Sequence, residues 1–250
     1  MLSGDYINQQ VNDPVLITSR LPSNVVPIDN ENANLSFQWQ RQMSTDKAFT
    51  LSSQVQNSKR TSDYYAIDDQ MLNLEFDTNY QWQDHQWLFG VGVRHHQIDF
   101  TPGLAFDVNT PRLTVANSSD EATTRTTILS GYIQDEWRFY PEHSVILGTK
   151  FERHRHNHEK LNQTYEASLW LPTLRYRFEV SDHSRLWAAV SHSGRIPSVA
   201  EQTMFIPFVS DAPGEGQNPF PWPLESFTAG NSRFDKETLL SFVLGFRTNV

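Results

Sequence analysis

His154, His156 and His158 occupy alternate positions in Arg153-His154-Arg155-His156-Asn157-His158. Successive side chains of a β-strand point to opposite faces, so on a strand all three imidazoles share one face. Imidazoles at i and i+2 can ligate zinc, copper or nickel, and this set could capture a metal or a metal chelate. The plainer alternative is a solvated rim on which histidine is a generic polar residue. His95 and His96 end another such segment. Arg195 and Glu201, flanking Pro197, have the types of a charged catalytic pair. No Ser–His–Asp spacing, nucleophile elbow or glycine-rich phosphate loop accompanies them. An enzyme is therefore the lesser reading, and no catalytic residue is assigned.

Composition narrows the classes. Zero cysteines rule out disulfides, thiolate metal sites and cysteine nucleophiles. A net charge of −9 argues against nucleic acid, because phosphates need a basic stripe. Apolar residues make up only 38% of the 250, against roughly 45–50% in soluble globular chains. Yet 7 Trp, 8 Tyr and 16 Phe are too many for a disordered tail. No apolar run approaches the ~20 residues of a membrane helix, and mean hydropathy is −0.55. The first six residues, Met1 to Tyr6, show neither a basic n-region nor an apolar h-region. Either the chain is cytosolic or its beginning lies elsewhere.

The elements that would position these residues are strands. Leu35, Phe37 and Trp39 alternate with Ser36, Gln38 and Gln40, a period of two. Phe49, Leu51 and Val55 repeat the pattern, as do Leu72, Leu74, Phe76, Tyr80 and Trp82. Segments of about 8 to 13 residues exceed the usual ~5–6 of soluble strands and match the ~9–11 that cross a bilayer at a tilt. Four short connections, near Asp46-Lys47, Asp84-His85, Glu142-His143 and Asp182-His183, alternate with long polar stretches near 11–34, 57–70, 99–125, 155–166 and 194–238. Outer-membrane barrels sort their loops this way, with short periplasmic turns and long extracellular loops. The pattern predicts eight strands paired by four turns, plus incomplete ends at about 1–8 and 239–248.

Charge fixes the faces, since a Lys or Arg facing lipid at the midplane costs ~2–4 kcal/mol. Arg175, Arg177, Lys150, Glu152 and Arg247 then face a lumen. Val145, Leu147, Phe151, Leu174, Tyr176, Phe178, Leu186, Ala188 and Val190 face outward, with Leu240, Phe242, Leu244 and Phe246. His154, His156 and His158 fall on the lumen side near the extracellular rim. In 128–139, Leu129, Ile133, Trp137 and Phe139 face out, which leaves Asp135 toward lipid. Pro172 cannot donate a ladder hydrogen bond and is expected at a strand start or bulge. Trp82, Trp87, Trp137 and Phe139 sit near short turns, where an interfacial aromatic girdle belongs.

Ser130-Gly131-Tyr132-Ile133-Gln134-Asp135-Glu136-Trp137 resembles S-x-Y-x-Q-D-x-W of the TonB-dependent outer-membrane receptors. Leu147-Gly148-Thr149-Lys150-Phe151-Glu152 and Pro172-Thr173-Leu174-Arg175-Tyr176 follow at similar spacing. Leu186-Trp187-Ala188-Ala189-Val190-Ser191, Arg195-Ile196-Pro197-Ser198, Gly230-Asn231 and Ser241 to Arg247 continue the resemblance. Ser232 and Val243 stand where that family often has Pro and Glu. The resemblance implies an all-β, antiparallel transmembrane barrel of 22 strands, of which residues 1–250 would supply about ten as one partial barrel domain. The family's signal, TonB-contacting box, plug and remaining strands are not seen, so the chain is expected to be a piece of a longer receptor.

By the same resemblance, the whole receptor would sit in the Gram-negative outer membrane, in contact with its lipid. It would bind a scarce nutrient, a ferric siderophore first, and import it with the TonB–ExbB–ExbD system acting on the plug. Cobalamin, free metal and carbohydrate stay open as ligands, and no resident cofactor is expected. The aromatic loop 199–234 suits a bulky ligand and an ordinary barrel loop equally. The competing class is a soluble, secreted β-rich binding module or carbohydrate-active enzyme, which would have to bury its apolar strand faces.

Overall fold

Period-two alternation becomes strand throughout the computed structural model, which describes residues 1–14, 25–62, 65–102, 122–159, 162–198, 201, 205–209, 225–229, 231 and 233–248. Twelve strands result: β1 (Leu2–Pro14), β2 (Val25–Ser44), β3 (Lys47–Thr61), β4 (Tyr65–Trp82), β5 (His85–Pro102) and β6 (Ala122–Tyr140), then β7 (His143–His158), β8 (Gln163–Ser181), β9 (Ser184–Arg195), β10 (Phe205–Val209), β11 (Glu225–Ala229) and β12 (Glu237–Thr248). Ten form one antiparallel sheet in the order β1 to β9, then β12. β10 and β11 make a separate two-stranded ribbon inside the stretch read from sequence as a long loop.

Two-residue turns at 45–46, 83–84, 141–142 and 182–183 fall where the short connections were expected. The strands are longer than expected, from 12 to 20 residues in the large sheet. They run into the polar stretches at the long-loop end. There the backbone ladder continues although neither face is apolar, so hydropathy carries no signal.

The register keeps the outward assignments on one face, apart from Phe139, which falls in the irregularity between Trp137 and Tyr140 and has no register partner. Leu51 pairs with Trp39 and Phe76, Phe76 with Val91, and Phe89 with Ile133. Farther along, Leu147 pairs with Leu174, Leu174 with Val190 and Val190 with Phe242. A one-residue slip would turn a strand's apolar set to the other face. None occurs across the sheet, and the three irregularities, at Gln42/Ser44, Trp137/Tyr140 and Glu179/Ser181, lie beside short turns.

This apolar face is bare. Leu147, Phe242 and Leu244 are 61%, 72% and 76% exposed, and the buried hydrophobic residues are Ile28, Ala48 and Leu169 alone among those described. A soluble sandwich packs such a face against a second sheet. Here no second layer covers it among the described residues, and the soluble alternative loses its main requirement.

Two local expectations change. Pro172 is neither a strand start nor a bulge but lies inside β8, opposite Thr149. It marks instead where pairing with β9 begins, at Thr173–Ser191, so its missing N–H breaks no ladder bond there. Asp135 does lie on the apolar face, but it has a partner: its Oδ2 is 2.7 Å from His85 Nδ1, and its side chain is 17% exposed.

Candidate functional site

Two groups of side chains on the polar face, both toward the long-loop end, are built rather than scattered. The first is centred on β7. Lys150, Glu152, His154 and His156 alternate onto this face, and Ser130, Ile128 and Thr126 oppose the last three across β6. Lys150 Nζ lies 2.7 Å from Glu152, whose other oxygen accepts from His154 Nε2 at 3.0 Å. The His154 and His156 rings stack with centroids 6.1 Å apart. His156 Nδ1 is 2.8 Å from Thr126 Oγ1, while its Nε2 is buried with no hydrogen-bond partner.

Registration extends this group sideways. His96 pairs with Thr126, Thr126 with His156, and His156 with Tyr165, so four polar side chains from β5 to β8 share one row. His96 also holds Asp69 through Nε2. His95, its neighbour in sequence, points to the apolar face and meets Thr127 Oγ1 at 3.0 Å. His158 ends β7 between Thr124 and Gln163. The three sequence-singled histidines therefore do share a face. Among the described residues, no group of three or more His, Cys, Asp or Glu side chains is gathered as a metal site.

The second group is a clamp where β9 and β12 leave the sheet. Arg195 Nη1 donates to both oxygens of Glu201 at 3.0 Å, and its Nε and Nη2 donate to Glu237 at 3.2 and 3.0 Å. Ser198 N and Oγ donate to Glu201 at 2.7 and 3.0 Å, and Glu201 N donates back to Ser198 Oγ at 3.2 Å. That reciprocity is a capping box, legible in sequence as Ser-x-x-Glu at 198–201. The backbone donor of Ser198, then Arg195, hold the Glu201 carboxyl below its usual range. All three guanidinium nitrogens of Arg195 and both carboxylate oxygens of Glu201 are thus engaged in anchoring the chain between β9 and β12. The arrangement is a hinge-post for a loop and leaves no group poised for proton transfer.

Toward the short turns, the polar face is a charge-paired stripe. Arg185 and Arg177 flank Glu179 at 3.8 and 4.0 Å, and Arg177 also meets Glu136 at 3.1 Å. On the opposite face at the same end stands the aromatic girdle. The His85 ring stacks on Trp82, Trp87 and Trp137 with centroids 6.4, 6.1 and 5.6 Å away. His143 stacks on Phe178 at 4.5 Å, and its Nδ1 is 2.6 Å from Tyr176 Oη. The sequence marked these two histidines only as members of short turns, because most of their partners lie on neighbouring strands. Phe220 and Trp222 of the aromatic loop, and Ser232, lie outside the described residues. Phe205 and Phe208 fall within β10, their side chains undescribed.

A bare apolar face, an aromatic girdle at the short turns and a charged, internally paired opposite face define the wall of a transmembrane β-barrel. Residues 5–249 match the family model described as TonB-dependent receptor-like β-barrel, and the chain belongs to that family. Its members are transporters rather than enzymes. No curated protein matches by sequence. Among solved structures, the ferric-catecholate import receptor Fiu of E. coli K12 superposes with a TM-score of 0.67 at 8% identity, over 100% of this chain and 46% of its own. The FrpB iron transporter of Neisseria meningitidis (F3-3 variant) does so with 0.63 at 12%, over 78% and 34%. The copper transporter OprC gives 0.58 at 13%, over 100% and 48%. At these identities the likeness is one of fold. The chain spans less than half the length of each.

Proposed function

We propose that this chain forms part of the barrel wall of an outer-membrane receptor that binds and imports a scarce nutrient, a ferric siderophore first. The observation that carries the reading is the apolar face, held in register through ten strands, on which the carboxylate of Asp135 is paired with His85. The whole of residues 1–250 is read as one barrel segment, with lipid against its apolar face. In the complete receptor the ligand would meet the extracellular end of the polar face, and TonB–ExbB–ExbD would act through the receptor's plug. An open ten-stranded sheet would leave unpaired edge groups in lipid, so transport requires the remaining wall.

Refolding tests this reading. The purified chain should gain β-structure by circular dichroism in detergent or lipid vesicles and not in plain buffer. A monomer folding cooperatively in buffer alone would refute it. A second reading is favoured by one observation, the buried and unpartnered Nε2 of His156 beside His154. Together with His158 these imidazoles would take a metal already chelated by its carrier, supplying only part of its coordination. Titration of the refolded chain with Cu²⁺ or Ni²⁺, against His154→Ala/His156→Ala, decides it. Equal binding by both proteins would remove it.

A further inference from the structure

The sheet divides above one register pair. β8 and β9 are partners from Ser181–Ser184 up to Thr173–Ser191, and there their pairing stops. Beyond that point β8 runs back to Gln163 with β7 as its partner, and β9 runs on to Arg195 with β12 as its partner. Pro172, the first residue past the last pair, has no N–H with which to extend a ladder. Among the described residues, no backbone hydrogen bond crosses the gap. Side chains bridge it instead. His192 Nδ1 donates to the Trp170 carbonyl at 2.8 Å, and Lys236 Nζ donates to that of Ser168 at 3.0 Å. Leu169, only 3% exposed, fills the gap against Gly194, where a Cβ would stand 2.8 Å from its Cδ2.

On the far side of the gap, His192 to Arg195 pair with Leu240 to Glu237, and Arg195 clamps Glu237 and Glu201. This end of β9 and β12 is one braced body, held against β8 by side chains rather than by a ladder. Behind it lie two unsatisfied groups. Tyr165, in the split part of β8, is the register partner of His156, and their rings stand 6.1 Å apart. The Tyr165 Oη and the His156 Nε2 are both buried without a hydrogen-bond partner. Asp235, at the foot of the braced body, is near enough for its charge to act on Tyr165. Buried polar groups are nearly always paired, so two adjacent exceptions need a reason. A cover that moves supplies one, and the unladdered side of β8 is where a cover can move.

We propose that the joined ends of β9 and β12 form a flap, hinged at Thr173–Ser191 and latched to β8 by His192, Lys236 and Leu169, whose opening admits a ligand to His156 and Tyr165. The proposal rests on the receptor reading above and deepens it, adding the device that controls access to one part of the polar face. Local opening follows the least protected contacts, and strands joined by a full ladder on both sides have far more to break.

The test uses the full chain refolded in detergent, with diethyl pyrocarbonate as probe, which carbethoxylates an imidazole nitrogen that it can reach. Peptide mass spectrometry reads the labelling rate at His156 as a ratio to the exposed His183 of the same chain. His192→Ala/Lys236→Ala, which removes both hydrogen bonds of the latch, should raise that ratio about tenfold. Leu169→Cys/Gly194→Cys, in a chain with no other cysteine, should lower the ratio when oxidised and restore it on reduction. An unchanged ratio in the latch variant or in the oxidised pair would overturn the proposal. Circular dichroism of the same samples separates the two readings. A chain that gains no β-structure in detergent removes the receptor reading and the flap with it, whereas a folded chain with unchanged His156 labelling removes the flap alone.

Discussion

The ring of Tyr132 lies across Gly90, its register partner on the neighbouring strand, and its hydroxyl donates to Asp77 one strand farther on at 2.5 Å. A Cβ at Gly90 would stand 2.2 Å from the ring and 2.5 Å from the Asp77 carboxylate. Glycine here lets an aromatic cover a neighbouring backbone, and three strands are tied at one level of the polar face. Gly245 and Trp187 repeat the device between β9 and β12, with 2.1 Å from the absent Cβ to the indole.

Gly90→Ala should therefore destabilise the refolded sheet by about 1–3 kcal/mol, through overpacking and the loss of the Tyr132–Asp77 bond. Gly131→Ala, on the open face, should be nearly silent. Denaturant unfolding in lipid vesicles measures both. Adding Tyr132→Ala to Gly90→Ala should relieve the clash, so the two effects will not add.

Asp135 and His85 form a second pair with a consequence for stability. Removing the imidazole leaves a carboxylate on the apolar face beside Trp87 and Leu147, with which Asp135 pairs in register. His85→Ala should cost about 1–3 kcal/mol, the usual range for an orphaned polar group. Asp135→Asn should cost less, and the double variant should recover part of the His85→Ala loss. Equal, additive losses in vesicle unfolding would show that the pair does not interact.

Much of this was legible in the sequence. Period-two alternation and the placement of Arg175, Arg177 and Lys150 were enough to assign both faces, and the acidic–basic dipeptides located all four short turns. What escaped has one physical cause. Above the apolar band both faces meet water, so residues such as Asn157 and Thr164 pair in a ladder without any hydropathy contrast. The His96–Asp69 and His85–Asp135 contacts escaped for a related reason. Each joins residues 27 and 50 positions apart, and only the register brings them together. Asp135 accordingly read as a defect until His85 stood beside it. The histidines of β7 were placed on their face correctly by alternation, but alternation says nothing about what the neighbouring strands bring to that row.

The Arg195–Glu201–Glu237 clamp predicts a pH dependence whose sign is fixed. Glu201 has its carboxyl lowered in the folded chain by Ser198 N–H and Arg195. A lowered carboxylate contributes stability that is present above its unfolded value, about 4.3, and is lost as pH falls through the folded value. Wild type should therefore melt above Glu201→Gln at neutral pH, and the gap should close in acid. A gap that stays constant from pH 7 to pH 3 would show that the carboxylate's charge is not what anchors the loop. The effect should be modest, since the group is solvent-exposed and screened.

The two faces of the last strand offer the most direct check on the assignment of lipid and lumen. Val243 and Leu244 are adjacent on β12, so they lie at nearly the same height and share one strand environment. Leu244 pairs with Ala188 on the apolar face, and Val243 pairs with Ala189 on the polar face. If lipid meets the first face, Leu244→Arg puts a guanidinium into hydrocarbon at about mid-band, at a cost of about 2–4 kcal/mol. Val243→Arg puts the same group toward water, at the position where the related receptors often carry a charged residue, and should cost well under half as much. Propensity, side-chain entropy and edge position are common to both variants, so the difference reports the solvent on each side. Unfolding of both variants from vesicles measures that difference. Equal costs would mean that neither face is lipid-facing, and a larger cost at Val243 would reverse the assignment.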